Sequence, residues 1–193
     1  MRMRSLFALA AAAVLLVPAA PVRAAEAAEI TDGLVLWYKL DGSAADSSGH
    51  GRDGVVNGTP TWTAGEGLGF NGSDTYVKAP DSVLSGLTSV SVSFDVLIDP
   101  TQSTPYFIYG FGNSSGSSGN GYLFTTGNGF RTSIATGNWS TEQTTSAPYS
   151  LFRGAWKHVT YTQAGNTGIL YEDGVEVGRN TGVTTTRVRS VAA

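Results

Sequence analysis

Alternation of apolar and polar residues predicts β-structure along most of the chain after residue 33. In the stretch VSVSFDVLID, Val90, Val92 and Phe94 share one face, and the intervening serines and Asp95 take the other. A period of two is that of a half-buried strand. The same pattern predicts six further strands, over Leu34–Leu40, Tyr106–Phe111, Gly121–Thr126, Phe130–Ala135, Trp156–Thr162 and Gly168–Glu172.

Turn-forming residues lie between these strands, and no segment between them has the apolar periodicity of an amphipathic helix. Twenty-five glycines lie among many Ser, Thr and Asn residues, at roughly the spacing of a sandwich or jelly roll. Asp173-Gly174 between two strand-like flanks predicts a tight hairpin. The pattern therefore predicts an all-β antiparallel sandwich.

The first 24 residues have a different pattern. Two arginines precede an apolar run from Leu6 to Val17, and small residues follow it. This order is typical of a secretory signal peptide, with cleavage expected after Ala24. The apolar run is shorter than a membrane-spanning helix requires. We therefore expect a secreted protein without a membrane span.

Charge and cysteine content narrow the class of protein further. Without the three arginines of the predicted signal peptide, nine basic residues face fifteen acidic ones, and there is no cysteine. The basic residues form no stripe that could follow a phosphate backbone, so nucleic acid is not an expected partner. No disulfide can hold the fold, so the apolar core or a bound metal must do so. About 169 residues remain after cleavage, enough for one β-domain.

Several motifs together resemble the LamG-like jelly-roll domain of the concanavalin A-like lectin/glucanase superfamily. They are GLVLWYKLDG, DSSGHGRDGVVNG and GLGFNGSDTYVKAP, followed in order by VSVSFDVLI, RGAWKHVTYTQ and GILYEDGVEVG. The resemblance implies a concanavalin A-like antiparallel jelly-roll sandwich. Such domains continue through two more strands after the last motif, so this one is expected to lack its last strands. The implied division is a signal peptide over 1–24, a linker over 25–32, the domain over 33–183 and an irregular tail over 184–193.

The loop from Asp41 to Gly58 contains three aspartates and five glycines and allows two interpretations. Aspartates can cap turns through their own backbone, with glycine supplying positive φ. Carboxylates in a glycine-rich loop can also bind calcium. In some related jelly rolls a structural calcium lies near this loop, which makes Asp41 and Asp46 the candidate metal ligands. The turn interpretation is favoured; calcium is the alternative, and no other cofactor is expected.

No catalytic motif is evident in the sequence. Glu172, Asp173 and Glu176 are acidic and close together, but the predicted turn places the two glutamates on different strands. His50 and His158 have no paired nucleophile nearby in sequence, and there is no GxSxG motif. The chain is therefore predicted not to be an enzyme, although a longer parent protein could carry a catalytic domain.

Carbohydrate binding is the predicted function. A sugar site on a β-sandwich combines an aromatic platform with polar hydrogen-bonding groups. Trp139 in a polar turn is the candidate platform, while Trp37, Trp62 and Trp156 are predicted to be framework residues. The other candidate ligand-binding residues are Tyr106, Tyr109, Arg131 and Asn138. The resemblance implies an accessory module of a polysaccharide-degrading protein, with a polysaccharide or glycan as its partner. A structural or adhesion module that binds protein, and a fragment of a glycoside hydrolase, are the alternatives.

Overall fold

The computed structural model describes residues 32–81, 83–113 and 121–184. The predicted signal peptide, the linker before residue 32 and the tail beyond residue 184 lie outside the described residues. Within the described part of the chain, no helix is long and apolar enough to cross a membrane.

The described residues form twelve strands and one short 3₁₀ helix, at Trp139–Thr141. The strands are β1 (Val55–Asn57), β2 (Thr61–Thr63), β3 (Gly67–Gly69), β4 (Tyr76–Lys78), β5 (Val90–Leu97), β6 (Phe107–Asn113), β7 (Gly121–Thr126), β8 (Arg131–Ala135), β9 (Gln143–Ser146), β10 (Trp156–Ala164), β11 (Thr167–Glu172) and β12 (Val175–Asn180).

Two four-stranded antiparallel sheets contain the longer strands. Sheet I has the order β12-β11-β10-β5 and sheet II the order β6-β7-β8-β9; β1 pairs with β4 and β2 with β3 in two small sheets. The prediction of an all-β antiparallel jelly-roll sandwich is confirmed.

The apolar core combines the inward faces of both sheets. Val159, Tyr161 and Leu170 of sheet I belong to the same buried cluster as Leu123 and Ile134 of sheet II. Phe94 of β5 meets Tyr109 of β6 edge to face, with ring centroids 5.5 Å apart. Each sheet therefore has one face in the core, and a second face is left for other contacts.

The predicted hairpin between β11 and β12 is confirmed. Asp173 and Gly174 both have positive φ, 50° and 80°. A two-residue turn of type I′ requires positive φ at both central residues, which Asp-Gly accommodates at low cost. The turn holds Glu172 opposite Val175.

The prediction of a strand over Leu34–Leu40 is wrong. Tyr38 forms only an isolated bridge with Asp46, and no ladder includes this segment. The Trp37 amide instead donates to the Asp46 side chain, 3.1 Å away, so a loop carboxylate replaces the partner strand. Trp37 and Trp156 are also exposed rather than framework residues.

Candidate functional site

The outward face of sheet II carries a group of aromatic side chains. Register places Gly110 opposite Phe124 and Gly112 opposite Tyr122. The pairing shifts between Phe107 and Tyr109, where β6 bulges. A bulge changes the face to which the following residues point. Phe107 therefore lies outward with 64% of its surface exposed, although Tyr109, two residues later, packs in the core.

The aromatic residues surround a small cavity on this face. Its volume is about 160 Å³, and it is lined by Phe107, Gly110, Phe111, Gly112, Tyr122 and Phe124. Phe107 meets Phe124 edge to face at 5.0 Å, and Tyr122 stacks with Phe124 at 5.2 Å. Glycine at 110 leaves room beside Phe124, since a Cβ there would lie 3.7 Å from the Phe124 Cβ. We call Phe107, Gly110, Gly112, Tyr122, Phe124, Arg131 and Glu142 the aromatic face.

A hydrogen-bonded ion pair borders the aromatic rings. Arg131 donates to Glu142 and lies over the Phe124 ring, 5.1 Å from its centroid. The Tyr122 hydroxyl donates to the other carboxylate oxygen of Glu142, at 2.7 Å. Thr144 also donates to Glu142, at 3.1 Å. The face therefore combines apolar rings with a charge-neutral set of hydrogen-bonding groups.

The pKa shifts of this network follow from its contacts. Desolvation raises the pKa of Glu142, but hydrogen bonds from Tyr122, Arg131 and Ser133 outweigh it and lower that pKa. Burial and the bond to Glu142 raise the pKa of the Tyr122 hydroxyl well above its usual range. The ionised Glu142 and the neutral Tyr122 are therefore the forms that the fold favours.

Trp139 lies in the connection from β8 to β9, three residues before Glu142 of the aromatic face. Asn138 caps the 3₁₀ helix by accepting from the Ser140 amide at 2.9 Å. The Glu142 amide donates to the Trp139 carbonyl at 3.1 Å, which links this turn to the ion pair. The Trp139 side chain is 71% exposed. The turn that contains Asn138 and Trp139 therefore leads directly into Glu142, which pairs with Arg131.

Tyr106 and Tyr109, the two tyrosines predicted to bind a ligand, do not lie on the aromatic face. Tyr106 is buried, and Arg153 lies 5.5 Å from its ring centroid. Tyr109 packs against Phe94 and Phe111 in the core. Burial raises the pKa of the Tyr109 hydroxyl far above its usual range. The prediction that Tyr106 and Tyr109 share a surface rim with Trp139 is wrong because both side chains pack inward, and Phe107 is the exposed aromatic residue on this face.

Asp46 organises the loop from Asp41 to Gly58 as a turn. Its Oδ1 accepts from the amides of Trp37 and Ser48, and its Oδ2 accepts from the Ser48 hydroxyl and the Arg52 amide, at 2.8–3.1 Å. A carboxylate has about four acceptor positions, and here all four have donors. Desolvation raises the pKa of Asp46, but these hydrogen bonds outweigh it and hold the pKa well below its usual range.

This arrangement does not fit a calcium ligand. Four hydrogen atoms point at the Asp46 carboxylate, and a cation there would replace them. Asp41 lies exposed in the same loop. Among the described residues, no group of three or more His, Cys, Asp or Glu side chains is placed to hold a metal ion. Calcium binding by Asp41 and Asp46 stays a prediction, which the following experiment tests.

Replacing Asp46 with Asn should lower the free energy of unfolding by about 1–3 kcal/mol, since the amide nitrogen would face hydrogen-bond donors. The folded pKa of Asp46 lies below its unfolded value. Its stabilisation is therefore present above about pH 4 and is lost as the pH falls. Urea unfolding at neutral and acid pH measures both effects, with the exposed Asp41→Asn as the control. A calcium-dependent rise in Tm that Asp46→Asn removes would contradict the turn interpretation.

The acidic residues of the β11–β12 hairpin do not form a pair. Tyr171 is opposite Glu176 while Glu172 is opposite Val175, so the two glutamates point to opposite faces of sheet I. Glu172 instead contacts Lys157, whose Nζ lies 2.8 Å from one of its carboxylate oxygens. A glycosidase needs two carboxylates on either side of one bond. Glu172 and Glu176 cannot supply that arrangement.

Comparisons with known proteins identify the family of this chain and solved structures with a similar fold. Residues 71–192 match the family described as the concanavalin A-like lectin/glucanases superfamily. Domain 4 of AbnA, a GH43 extracellular arabinanase from Geobacillus stearothermophilus solved in complex with arabinotriose, is 20% identical. The match covers 76% of this chain and 74% of that one, with a TM-score of 0.62.

A further match is an S-layer domain-containing protein from Clostridium thermocellum ATCC 27405. It is 25% identical, covers 78% of this chain and 73% of that chain, and has a TM-score of 0.46. No curated protein matches the chain.

Proposed function

Since the chain belongs to the concanavalin A-like lectin/glucanases superfamily, we propose that it is a secreted carbohydrate-binding module that is non-catalytic toward the glycan it binds. We further propose that it serves as an accessory to a polysaccharide-degrading catalytic domain, and that a glycan docks on the aromatic face. One observation carries the proposal: an exposed Phe107 ring stands beside a cavity that Tyr122 and Phe124 line, next to the Arg131–Glu142 pair.

The chemistry of this face suits an uncharged sugar. Phe107 offers an apolar ring to the C–H face of a sugar, an arrangement that aromatic side chains commonly provide. Arg131 and Glu142 neutralise one another, so neither a cationic nor an anionic ligand is favoured by net charge. Trp139, three residues before Glu142, supplies a second exposed ring. Its position suits a glycan of several units.

Arabinan is the first ligand to test. The domain of the Geobacillus arabinanase that has this fold was solved with arabinotriose. At 20% identity that likeness supports the choice of probe rather than the identity of the sugar. Neutral xylan and acidic polygalacturonate complete a panel that separates binding by ring contacts from binding by charge.

Affinity electrophoresis of the chain in gels containing each polysaccharide tests the proposal. Phe107→Ala and Trp139→Ala should each weaken retention about five- to tenfold, as expected for the loss of one aromatic contact worth about 1 kcal/mol. Phe152→Ala is the matched control, because its ring is 63% exposed, close to the 64% of Phe107, but it does not line the cavity.

Two results would count against the proposal in different ways. Retention by none of the polysaccharides would reject carbohydrate binding by this chain and favour an adhesion module that binds protein. Retention that Phe107→Ala and Trp139→Ala leave unchanged would keep the function but reject the aromatic face as its site.

A further inference from the structure

The outward face of sheet I holds a serine, a histidine and an aspartate in one hydrogen-bonded chain. His158 Nδ1 lies 2.8 Å from Asp95 Oδ1, and its Nε2 lies 3.0 Å from Ser93 Oγ. This is the connectivity of a nucleophile, a base and an orienting carboxylate. We propose that Ser93 is a His158-activated nucleophile that accepts acyl groups from carboxylic esters.

Strand register creates the arrangement. Ser93 and Asp95 are two residues apart on β5, so both side chains point away from the core. Antiparallel pairing places Thr160 opposite Ser93 and His158 opposite Asp95. The imidazole therefore bonds the aspartate directly across from it and reaches the serine diagonally. Such diagonal neighbours are within reach of long side chains.

The hydrogen bonds determine the histidine tautomer. A carboxylate only accepts, so Nδ1 carries the hydrogen that is donated to Asp95. In this tautomer the Nε2 lone pair accepts from a hydroxyl, and Ser93 Oγ, at 3.0 Å, is nearer to it than Thr160 Oγ1, at 3.3 Å. The His158 amide donates to Asp173 Oδ1 at 3.0 Å, and Asp173 also contacts Lys157. Asp95 on β5 and Asp173 in the β11–β12 turn are thus the charged groups that hold this histidine.

The reaction follows from these positions. Ser93 Oγ bonds to the ester carbonyl carbon while its proton passes to His158 Nε2. The carbon–oxygen bond to the alcohol then breaks, and the leaving oxygen takes the proton from Nε2. Water next adds to the acyl carbon with His158 again as base, which releases the acid and restores Ser93 with its proton. The net reaction is hydrolysis, in which an ester and water give an acid and an alcohol.

The groups around Ser93 and their exposure to solvent determine which esters fit and how fast they react. Thr160 Oγ1 lies 2.8 Å from Ser93 Oγ, so a second hydroxyl stands next to the nucleophile. Trp156, 50% exposed, is two residues before His158 on the same face of β10 and offers an apolar surface beside the imidazole. The sheet face is open to solvent, and water weakens electrostatic stabilisation of the oxyanion. A small ester with an accessible carbonyl, cleaved slowly, fits this open site.

Hydrolysis of p-nitrophenyl acetate by the whole chain tests the proposal. We expect a burst of nitrophenolate and one acetyl group on the peptide that contains Ser93. Ser93→Ala and His158→Gln should each lower the acylation rate by about 10- to 100-fold. Asp95→Asn should lower it by about tenfold without changing Tm, because it loses only the orientation of the imidazole.

Matched controls separate this chemistry from general effects. Ser91 lies two residues before Ser93 on the same face of β5, opposite Thr162. His50 is the second histidine of the chain. Ser91→Ala and His50→Gln should retain the wild-type rate. An unchanged rate in Ser93→Ala, acetylation at another residue, or a rate no greater than that of the same concentration of free imidazole would each overturn the proposal. A thermal melt of each variant checks that it is folded.

Discussion

Replacing Glu142 with Ala is expected to lower the free energy of unfolding by about 2–4 kcal/mol and to abolish retention by polysaccharide. Glu142 accepts hydrogen bonds from Tyr122 and Thr144 and pairs with Arg131. Its side chain is only 18% exposed. Removing it leaves the Tyr122 hydroxyl and the Arg131 guanidinium without their shared acceptor in a half-buried place. The aromatic face would lose the contacts that hold its rings in position.

The stability lost in Glu142→Ala should be smaller at acid pH than at neutral pH. The pKa of Glu142 is lower in the folded chain than its ordinary value. Its stabilisation is therefore fully present above about pH 4.5 and declines as the pH falls through the acid range. The difference in unfolding free energy between the wild-type chain and Glu142→Ala should accordingly shrink between about pH 7 and pH 3. Urea unfolding at both pH values measures it.

Glu176→Ala is the matched control for this prediction. Glu176 also pairs with an arginine, Arg179, but its side chain is 40% exposed and it lies at the surface of β12. Ion pairs exposed to water contribute little, so little stability should be lost. Equal losses in the two variants would show that the Glu142 network has no special role in the fold.

Replacing Gly178 with Ala is expected to destabilise the sandwich by about 2–4 kcal/mol. A Cβ at this position of β12 would lie 2.5 Å from the Ser146 carbonyl oxygen of β9. That oxygen belongs to the backbone, so no side-chain rotation relieves the overlap. The Asn180 side-chain Nδ2 also donates to the Thr144 carbonyl of β9, at 2.8 Å. Sheets I and II are therefore joined at this edge, and an added methyl group would separate them.

Thermal and urea unfolding measure this effect, with Gly110→Ala as the control. Gly110 is also in a strand, but a Cβ there would be 3.7 Å from the nearest atom, an ordinary contact. Gly110→Ala should keep its stability while reducing polysaccharide retention, since the methyl group enters the cavity of the aromatic face. A Gly178→Ala variant as stable as Gly110→Ala would mean that β9 and β12 can separate at low cost.

The fold was largely predictable because its signals are local. The alternation in β5 and β10 specifies which residues enter the core, and Asp173-Gly174 specifies the turn that joins β11 to β12. Leu34–Leu40 shows the limit of this reasoning. Its alternation is as regular as that of a strand, but a ladder needs a partner, and here the Asp46 side chain takes a backbone amide instead.

The candidate site was only partly predictable. Trp139, Asn138 and Arg131 could be chosen because polar turns and isolated aromatic residues are visible in a sequence. Tyr106 and Tyr109 were chosen and Phe107 was missed for a physical reason. The bulge in β6 changes which side chains face the core, and one extra residue in a strand leaves no signal in its alternation.

The sequence by itself determined the antiparallel β-fold, its principal strands and its family, because these depend on periodicity, turn chemistry and order along the chain. Only the tertiary structure decided which side chains meet. Ser93 and His158 are 65 residues apart, and Tyr122 and Glu142 are 20 apart, yet both pairs share a hydrogen bond. Such contacts depend on strand register and on the position of a bulge. Both are set by packing of the whole sandwich rather than by neighbouring residues.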